Sequence, residues 1–184
     1  MASHKGHTDI VTSLLGHAQI DFNKATDVGA TPLFIASEIG HTDIVTILLG
    51  HAQIDINKAN NRGCTPLFIA SEIGHTDIVP ILLGHAETDV NKPLPDGQTP
   101  LLVACVQGQV EVVRMLLQRA DVDINAKTTK KILFRSLGIG KNSTILVEVG
   151  ATAISVASEK EHTEILELLK AFAAREYFGL MPSH

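Results

Sequence analysis

The hydrophobic positions of the chain recur in one pattern that repeats at equal steps. The segment 31–52 reads TPLFIASEIGHTDIVTILLGHA, and it returns with one changed letter at 65–86. Weaker copies begin at Thr99 and Thr152, and a truncated copy occupies 2–18. Self-similarity at this period is typical of a solenoid, in which each unit buries its apolar face only against its neighbours.

Each copy except the truncated one at 2–18 predicts a short first helix. Thr31 supplies a capping hydroxyl, and the proline after it has a fixed φ that suits a first helical turn. We expect the helix to end near Gly40 and to direct Leu33, Ile35 and Ala36 inward, where the small alanine lets the next unit approach closely.

A second helix, which we expect to be longer, follows in the same copy. Asp43 places an acid in its first turn. Four apolar residues, Ile44, Val45, Leu48 and Leu49, fall at i, i+1, i+4 and i+5, on one side of a helix. Gly50 ends it. The segment QIDINKANNRG at 53–63 then predicts an extended piece and an Asn-rich turn before the next Thr-Pro.

Several motifs of this unit fall in one register: TPL, the inward alanine, the GH junction, the IV-x-I/L-LL run and the D-I/V-N before the turn. In that order and spacing they resemble the ankyrin repeat, which implies an all-α solenoid of helix-turn-helix units with protruding turns. Two departures stand out. The extra residue in GHAQI lengthens the outer loop, and Phe34 and Phe68 replace the usual histidine of TPLH, so apolar packing must take its place. The implied divisions are a partial unit at 1–30, repeats at 31–64, 65–98 and 99–129, an insertion at 130–149, a last unit at 150–174 and a tail at 175–184.

The insertion carries a pattern of its own. Thr152 arrives well after the position that the repeat requires, which leaves an extra segment in the protruding turn. ILFRSL at 132–137 and TILVEV at 144–149 are β-rich runs around the loop GIGKNS, which favours a β-hairpin at that place. Disorder and a translated non-coding segment are the alternatives. Residues 127–149 hold five basic side chains against Glu148, a local +4 on a chain of net charge -5.

Composition narrows the class of protein. With 184 residues, 45% of them hydrophobic, the chain suits one folded domain. Its acidic balance argues against general affinity for nucleic acid or anionic membrane. MASHKGHTDI contains no apolar run, and no stretch approaches the roughly 18 apolar residues of a membrane span, so we expect neither a signal peptide nor a span, and a cytoplasmic or alternatively nuclear location. Cys64 and Cys105 fall at different repeat positions, which predicts free thiols.

Three places depart from a regular array. Pro80 interrupts a second helix near its start, where it removes one backbone donor. The first unit lacks its TPLFI helix, so we expect either the end of a longer protein or a weakly capped short one, with end-to-end association through that surface as the exception to a monomer. The last unit is rich in Glu, as a cap requires, and we expect Tyr177 and Phe178 to fold back onto it.

Two series of histidines recur at equal steps, His7, His41 and His75 and His17, His51 and His85, but they do not predict a metal site. Equivalent residues of stacked helices lie about 8–10 Å apart, whereas zinc ligands must come within about 2.1 Å of one ion. We expect His41 and His75 to hold the junction between their two helices. GIGKNS lacks the first Gly and the final Ser or Thr of a phosphate-binding loop. No catalytic constellation is evident, and we expect neither an enzyme nor a cofactor.

The resemblance implies that protein partners dock in a groove lined by the protruding turns and the outer sides of the first helices. Ile39, Ile73 and Val106 are apolar where we expect water, which is typical of a docking site, although isolated surface hydrophobes or packing beneath the turns would also explain them. Carried over by position, the partner-binding residues are Asp27, Val28, Ala30, Glu38 and Ile39 in the first full unit, Asn61, Arg62, Cys64, Glu72 and Ile73 in the second, and Pro95, Asp96, Gln98, Val106 and Gln107 in the third.

Two functions of different class remain open on the sequence. The first is a non-catalytic protein-protein interaction module with a partner of unknown identity. The second is a structural spacer in a larger protein whose activity lies outside this chain. A weaker third idea is that the basic insertion contacts nucleic acid or an acidic membrane.

Overall fold

The computed structural model describes residues 8–9, 13, 20–135 and 144–177, with the backbone alone at 134–135, 144–145 and 176–177. Between residues 20 and 177 the described part contains eight helices with defined ends and one two-stranded antiparallel sheet. The predicted solenoid of helical pairs is confirmed, and so are the two strands of the predicted hairpin.

The first helix of each of the four units begins after a capping threonine, and that of the unit at 31–64 ends at Gly40 as the sequence predicts. The Thr31 hydroxyl accepts a hydrogen bond from the Phe34 amide at 3.1 Å, and the same cap recurs at each following unit. Gly40 ends its helix with a φ of 93°. A side chain there would approach the His75 ring to 3.0 Å. These helices are α1 (Pro32–Ile39), α3 (Pro66–Ile73), α5 (Pro100–Gln107) and α7 (Ala153–Glu159).

The second helices vary more in length. The expectation of a longer second helix in the first full unit is wrong, since both helices have the same length. Pro80 has a visible effect: its helix begins only at Val79 and spans 5 residues, because proline has no amide proton to bond to the previous turn. These helices are α2 (Thr42–Leu49), α4 (Val79–Leu83), α6 (Val110–Leu116) and α8 (Thr163–Tyr177).

The main core lies between the layer of first helices and the layer of second helices. Ala36 and its equivalents Ala70, Ala104 and Ala157 are all 0% exposed, which confirms that a small residue is needed where successive first helices meet. The leucines and valines of the second helices complete this cluster. Ile35, which we expected inside, is only half-buried, because it belongs to the other side of α1.

A second apolar cluster lies beneath the protruding turns. Phe34 and Phe68 are 3% and 2% exposed and belong to it. The prediction that apolar packing replaces a hydrogen-bonding histidine at this position is therefore confirmed. The cluster also contains Leu102 and Val156 of the later first helices, so it continues along the stack.

Asparagine side chains tie the loops of neighbouring units together. Asn57 donates from Nδ2 to the Glu87 carbonyl at 2.6 Å and accepts from the Asp89 amide at 2.9 Å. Asn23 and Asn91 make the same two bonds one unit earlier and one unit later. The D-I/V-N motif therefore fixes the spacing of units through hydrogen bonds as well as apolar contact.

The histidines of the GH junctions also act between units. His75 donates from Nε2 to the Glu38 carbonyl at 3.1 Å, and Gln109, at the equivalent position, donates to the Ile73 carbonyl at 3.0 Å. We expected His75 to join the two helices of its own unit. Its backbone does so, since the His75 amide bonds to the Ala70 carbonyl at 2.9 Å and the Val79 amide bonds to the His75 carbonyl at 3.0 Å. Its side chain additionally joins the unit to the end of the preceding first helix.

The inserted residues leave the parent turn intact. β1 (Ile132–Arg135) and β2 (Thr144–Val147) pair antiparallel, with Ile132 opposite Val147 and Leu133 opposite Leu146. At their base the Gly150 amide bonds to the Thr128 carbonyl at 2.8 Å, as the Gly29 amide bonds to the Thr26 carbonyl in the first turn. Since the turn closes as it does elsewhere, residues 130–148 are looped out of a regular repeat.

At the ends of the chain the predicted unit boundaries stay predictions. Residues 8, 9 and 13 are helical, whereas the apolar residues of the truncated unit lie outside the described residues. The last helix continues to Tyr177, beyond the predicted end of the unit at 174. Phe178, the loop GIGKNS and the proposed fold-back of the tail also lie outside the described part.

Candidate functional site

The protruding turns form one side of the candidate groove. The Asn61 amide bonds to the Val28 carbonyl at 3.1 Å, and the Thr129 amide bonds to the Asp96 carbonyl at 2.7 Å, so neighbouring turns are joined at their tips. Pro95 occupies the equivalent donor position between them and has no amide proton. Within the described residues the Arg62 carbonyl is therefore left at this edge without a hydrogen bond.

The ends of the first helices form the other side. Ile39 is 38% exposed, and the neighbouring Glu38 is exposed. In the next unit Ile73 and Glu72 are half-buried. Burial raises the pKa of the Glu72 carboxyl, and Glu38 acts in the same direction, whereas Arg62 opposes both. The Glu38 and Glu72 carboxylates make the surface around Ile39 and Ile73 acidic.

The structure divides the predicted partner-binding residues by exposure. Side chains at the turn tips and at the end of α1 are open to solvent, whereas those directly before each Thr-Pro are covered. The exposed members are Asp27, Val28, Glu38, Ile39, Asn61, Arg62 and Pro95, the half-buried members are Glu72, Ile73, Asp96 and Gln107, and the buried members are Ala30, Cys64, Gln98 and Val106.

The expectation that Val106 faces water is wrong. Its side chain is 1% exposed and shares an apolar cluster with Ile132 and Val147, the residues of the hairpin that face the stack. The two earlier units have Glu38 and Glu72 at the position of Val106. The third unit has an apolar residue there because the inserted hairpin covers it.

The other covered residues are held by their own turns. Cys64 is 1% exposed, and burial raises the pKa of its thiol to about 11 despite the nearby Arg62. Gln98 is 6% exposed and donates from Nε2 to the Asp96 carboxylate at 2.7 Å. These side chains stabilise the turns and do not offer atoms to a partner.

Sequence reasoning missed the outer face of the hairpin. Leu133 is 71% exposed and Leu146 is 36% exposed, opposite each other on the strands, and Val149 is 63% exposed at the base. Lys131 and Glu148 form an ion pair of 3.0 Å beside them. Both faces of these strands are apolar in sequence, so the period-2 pattern could not distinguish the outward residues from the inward ones.

The exposed large apolar residues are concentrated on one set of elements. In the described part of the chain they are Val28, Ile39, Leu133, Leu146 and Val149. All lie on protruding turns, on the end of α1 or on the hairpin, and none lies on a second helix. Exposed apolar side chains grouped on the turns, a helix end and the hairpin are typical of a contact surface.

Two other features, a metal centre and a membrane span, can be assessed for the described residues. No group of three or more His, Cys, Asp or Glu side chains among them could hold a metal ion. None of the helices in the described part is long and apolar enough to cross a membrane. What the arrangement can do chemically is to present apolar and acidic side chains to another molecule.

One comparison with known proteins agrees with the geometry. A family model described as ankyrin repeats (3 copies) matches residues 1–93 and, in a second match, 53–128. No curated protein matches the chain.

Proposed function

The chain belongs to the ankyrin-repeat family, and on that basis we propose that it is a non-catalytic module that binds a protein partner through the groove between its protruding turns and its first helices. Ankyrin repeats generally serve protein-protein interaction. The observation that carries the proposal for this chain is the confinement of exposed large apolar residues, within the described part, to the turns, the end of α1 and the hairpin.

The groove we propose is shorter than the stack. In the first two full units Val28 and Ile39 are exposed among Asp27, Glu38 and Arg62. At the third unit the hairpin covers Val106, so a partner lying along the turns would meet the hairpin there. We therefore place the contact surface on the first two units, with Leu133 and Leu146 of the hairpin at its end.

Affinity capture from the native source tests this function with two matched variants. V28E/I39E places charges on two exposed groove residues, whereas T46E places one on the exposed face of α2. We expect V28E/I39E to lose the captured protein and T46E to retain it, because only the first alters the apolar contact surface. Equal capture by both variants, each with an unchanged circular dichroism spectrum, would contradict the groove.

The spacer alternative makes a different prediction for the same experiment. A spacer would capture no protein that depends on the groove residues. Deleting residues 130–148, which leaves the closed turn of Thr128 and Gly150, then shows whether the hairpin takes part. Unchanged capture would exclude the hairpin from the contact, and a salt-sensitive loss would implicate its basic residues.

A further inference from the structure

One equivalent position follows the second helix in three consecutive units, and its side chain makes different contacts in each unit. His51, His85 and Arg119 occupy equivalent places in consecutive units and follow α2, α4 and α6. Each faces the loop that follows the second helix of the preceding unit. A comparison of these three side chains shows which groups can occupy the space beside that loop.

Arg119 fills its site completely. Its guanidinium donates from Nη1 to the Leu83 carbonyl at 3.0 Å and from Nη2 to the Thr88 carbonyl at 3.5 Å. It also bonds to both carboxylate oxygens of Asp121, at 2.9 and 2.8 Å. The hydrogen bond to Asp121 raises the pKa of Arg119 and lowers that of Asp121. Two carbonyls and one carboxylate therefore form a receptor for a guanidinium.

His51 fills its site by stacking. Its ring lies 4.9 Å from the Phe22 ring with an interplanar angle of 20°. Ile56 occupies the position equivalent to Phe22 in the next unit, so His85 has no aromatic ring to stack on. His85 also lacks the length and the forked donors of Arg119.

The site between the first two full units is open as a result. A cavity of about 250 Å³ is lined by Leu49, Ile54, Ile56, His85 and Glu87, among others. Leu49 and Ile54 are the equivalents of Leu83 and Thr88, and their carbonyls accept no hydrogen bond from any described residue. Glu87 stands at the position of Asp121, and its carboxylate has no ion pair in the described part.

We propose that this cavity binds the guanidinium group of an arginine side chain on a partner protein. The second and third units hold such a group through the same two backbone positions and an acidic side chain. The volume is below the range of about 300–1,000 Å³ that is usual for small-molecule sites, so it suits one side chain. Lysine fits less well, because an ammonium cannot present the planar fork that reaches both carbonyls and a carboxylate.

The full chain labelled with ¹⁵N tests the site with capped tripeptides. Acetyl-Gly-Arg-Gly-amide should produce saturable amide shifts at 49–56 and 85–87. The matched peptides carry lysine, or citrulline, which keeps the shape of arginine without its charge. We expect both to bind at least about fivefold more weakly: citrulline because it cannot make charge-assisted hydrogen bonds, and lysine because its ammonium lacks the planar fork.

Two variants connect any binding to the cavity. H85R/E87D reproduces the Arg119–Asp121 pair, so the new arginine should fill the cavity, raise the melting temperature and abolish the arginine-dependent shifts. E87Q retains the shape of the site but removes its charge, and should weaken binding about two- to fivefold at low salt. E87Q keeps the test valid if H85R/E87D folds poorly.

Several results would overturn the assignment. Equal affinity for the arginine and lysine peptides would show a general charge effect, and undiminished binding to both variants would place the peptide elsewhere. Absence of any saturable shift would mean that the cavity holds only solvent. The groove variant V28E/I39E should bind the arginine peptide normally, so a failure of this site and a failure of the groove are distinguishable.

Discussion

Val106→Glu tests whether the inserted hairpin is packed onto the third unit. Val106 is 1% exposed in the cluster that contains Ile132 and Val147, which are 9% and 1% exposed. The substitution restores the residue type that the two earlier units carry as Glu38 and Glu72, where no hairpin covers it. The helix itself should therefore tolerate the change.

The expected cost follows from two competing responses. Keeping the hairpin in place forfeits about 1.5–3 kcal/mol of valine burial and adds the penalty of an unpaired carboxylate. Releasing the hairpin exposes the two apolar side chains of Ile132 and Val147, which costs about 3–6 kcal/mol as an upper bound. The conformational entropy that the released hairpin gains offsets part of this cost. We expect a loss of about 2–4 kcal/mol in the free energy of unfolding at pH 7. The loss should shrink toward pH 5, because a buried carboxyl has a raised pKa and can enter uncharged.

A double-mutant cycle measures this coupling by urea denaturation. The second change is the deletion of residues 130–148, which leaves the regular turn and removes the cover from Val106. In that background Val106→Glu should alter the free energy of unfolding by no more than about 0.5 kcal/mol, as for a surface position. An equal loss in both backgrounds would refute the packing of the hairpin on α5.

Three further predictions concern the repeats themselves. Asn57→Ala should lower the free energy of unfolding, measured by urea denaturation, by about 1–3 kcal/mol, because it removes two hydrogen bonds between units. The control is Asn125→Ala, whose exposed side chain bonds to no other unit in the described part. It should cost less than about 0.5 kcal/mol. Ser71→Ala should stabilise the chain by about 1 kcal/mol, because its hydroxyl is fully buried without a hydrogen bond; a lower melting temperature would count against this. Cys64 and Cys105 should resist a thiol reagent at pH 8 until the chain unfolds, since burial raises their pKa values to about 11 and 12; rapid labelling of the native protein would contradict their burial.

Local signals account for the parts of the fold that the sequence predicted well. The Thr-Pro caps and the terminating glycines act within one helical turn. In the structure the first helices begin and end at these residues. Ala36 and its equivalents were identifiable because the repeat puts the same small residue at every contact between first helices. The effect of Pro80 on its helix was also predictable from the sequence, since the missing amide proton acts within one turn.

Features that depend on neighbouring units were harder to predict. The burial of Val106 depends on a hairpin that begins only at Ile132, beyond the second helix of the unit, and nothing in its own helix indicates it. The His75 side chain bonds to the Glu38 carbonyl of the preceding unit, a contact that the junction within its own unit does not indicate. The open cavity at His85 is evident only from the three-dimensional contacts at His51, His85 and Arg119, because His51 and His85 look equivalent in the sequence.

Site-specific photo-crosslinking to the captured partner tests the central claim most directly. A benzophenone amino acid at Ile39 lies on the proposed groove, and the same amino acid at Thr46 lies on the exposed face of α2. The account predicts a crosslinked partner from position 39 and none from position 46. Crosslinking from position 46 alone would contradict a groove between the turns and the first helices.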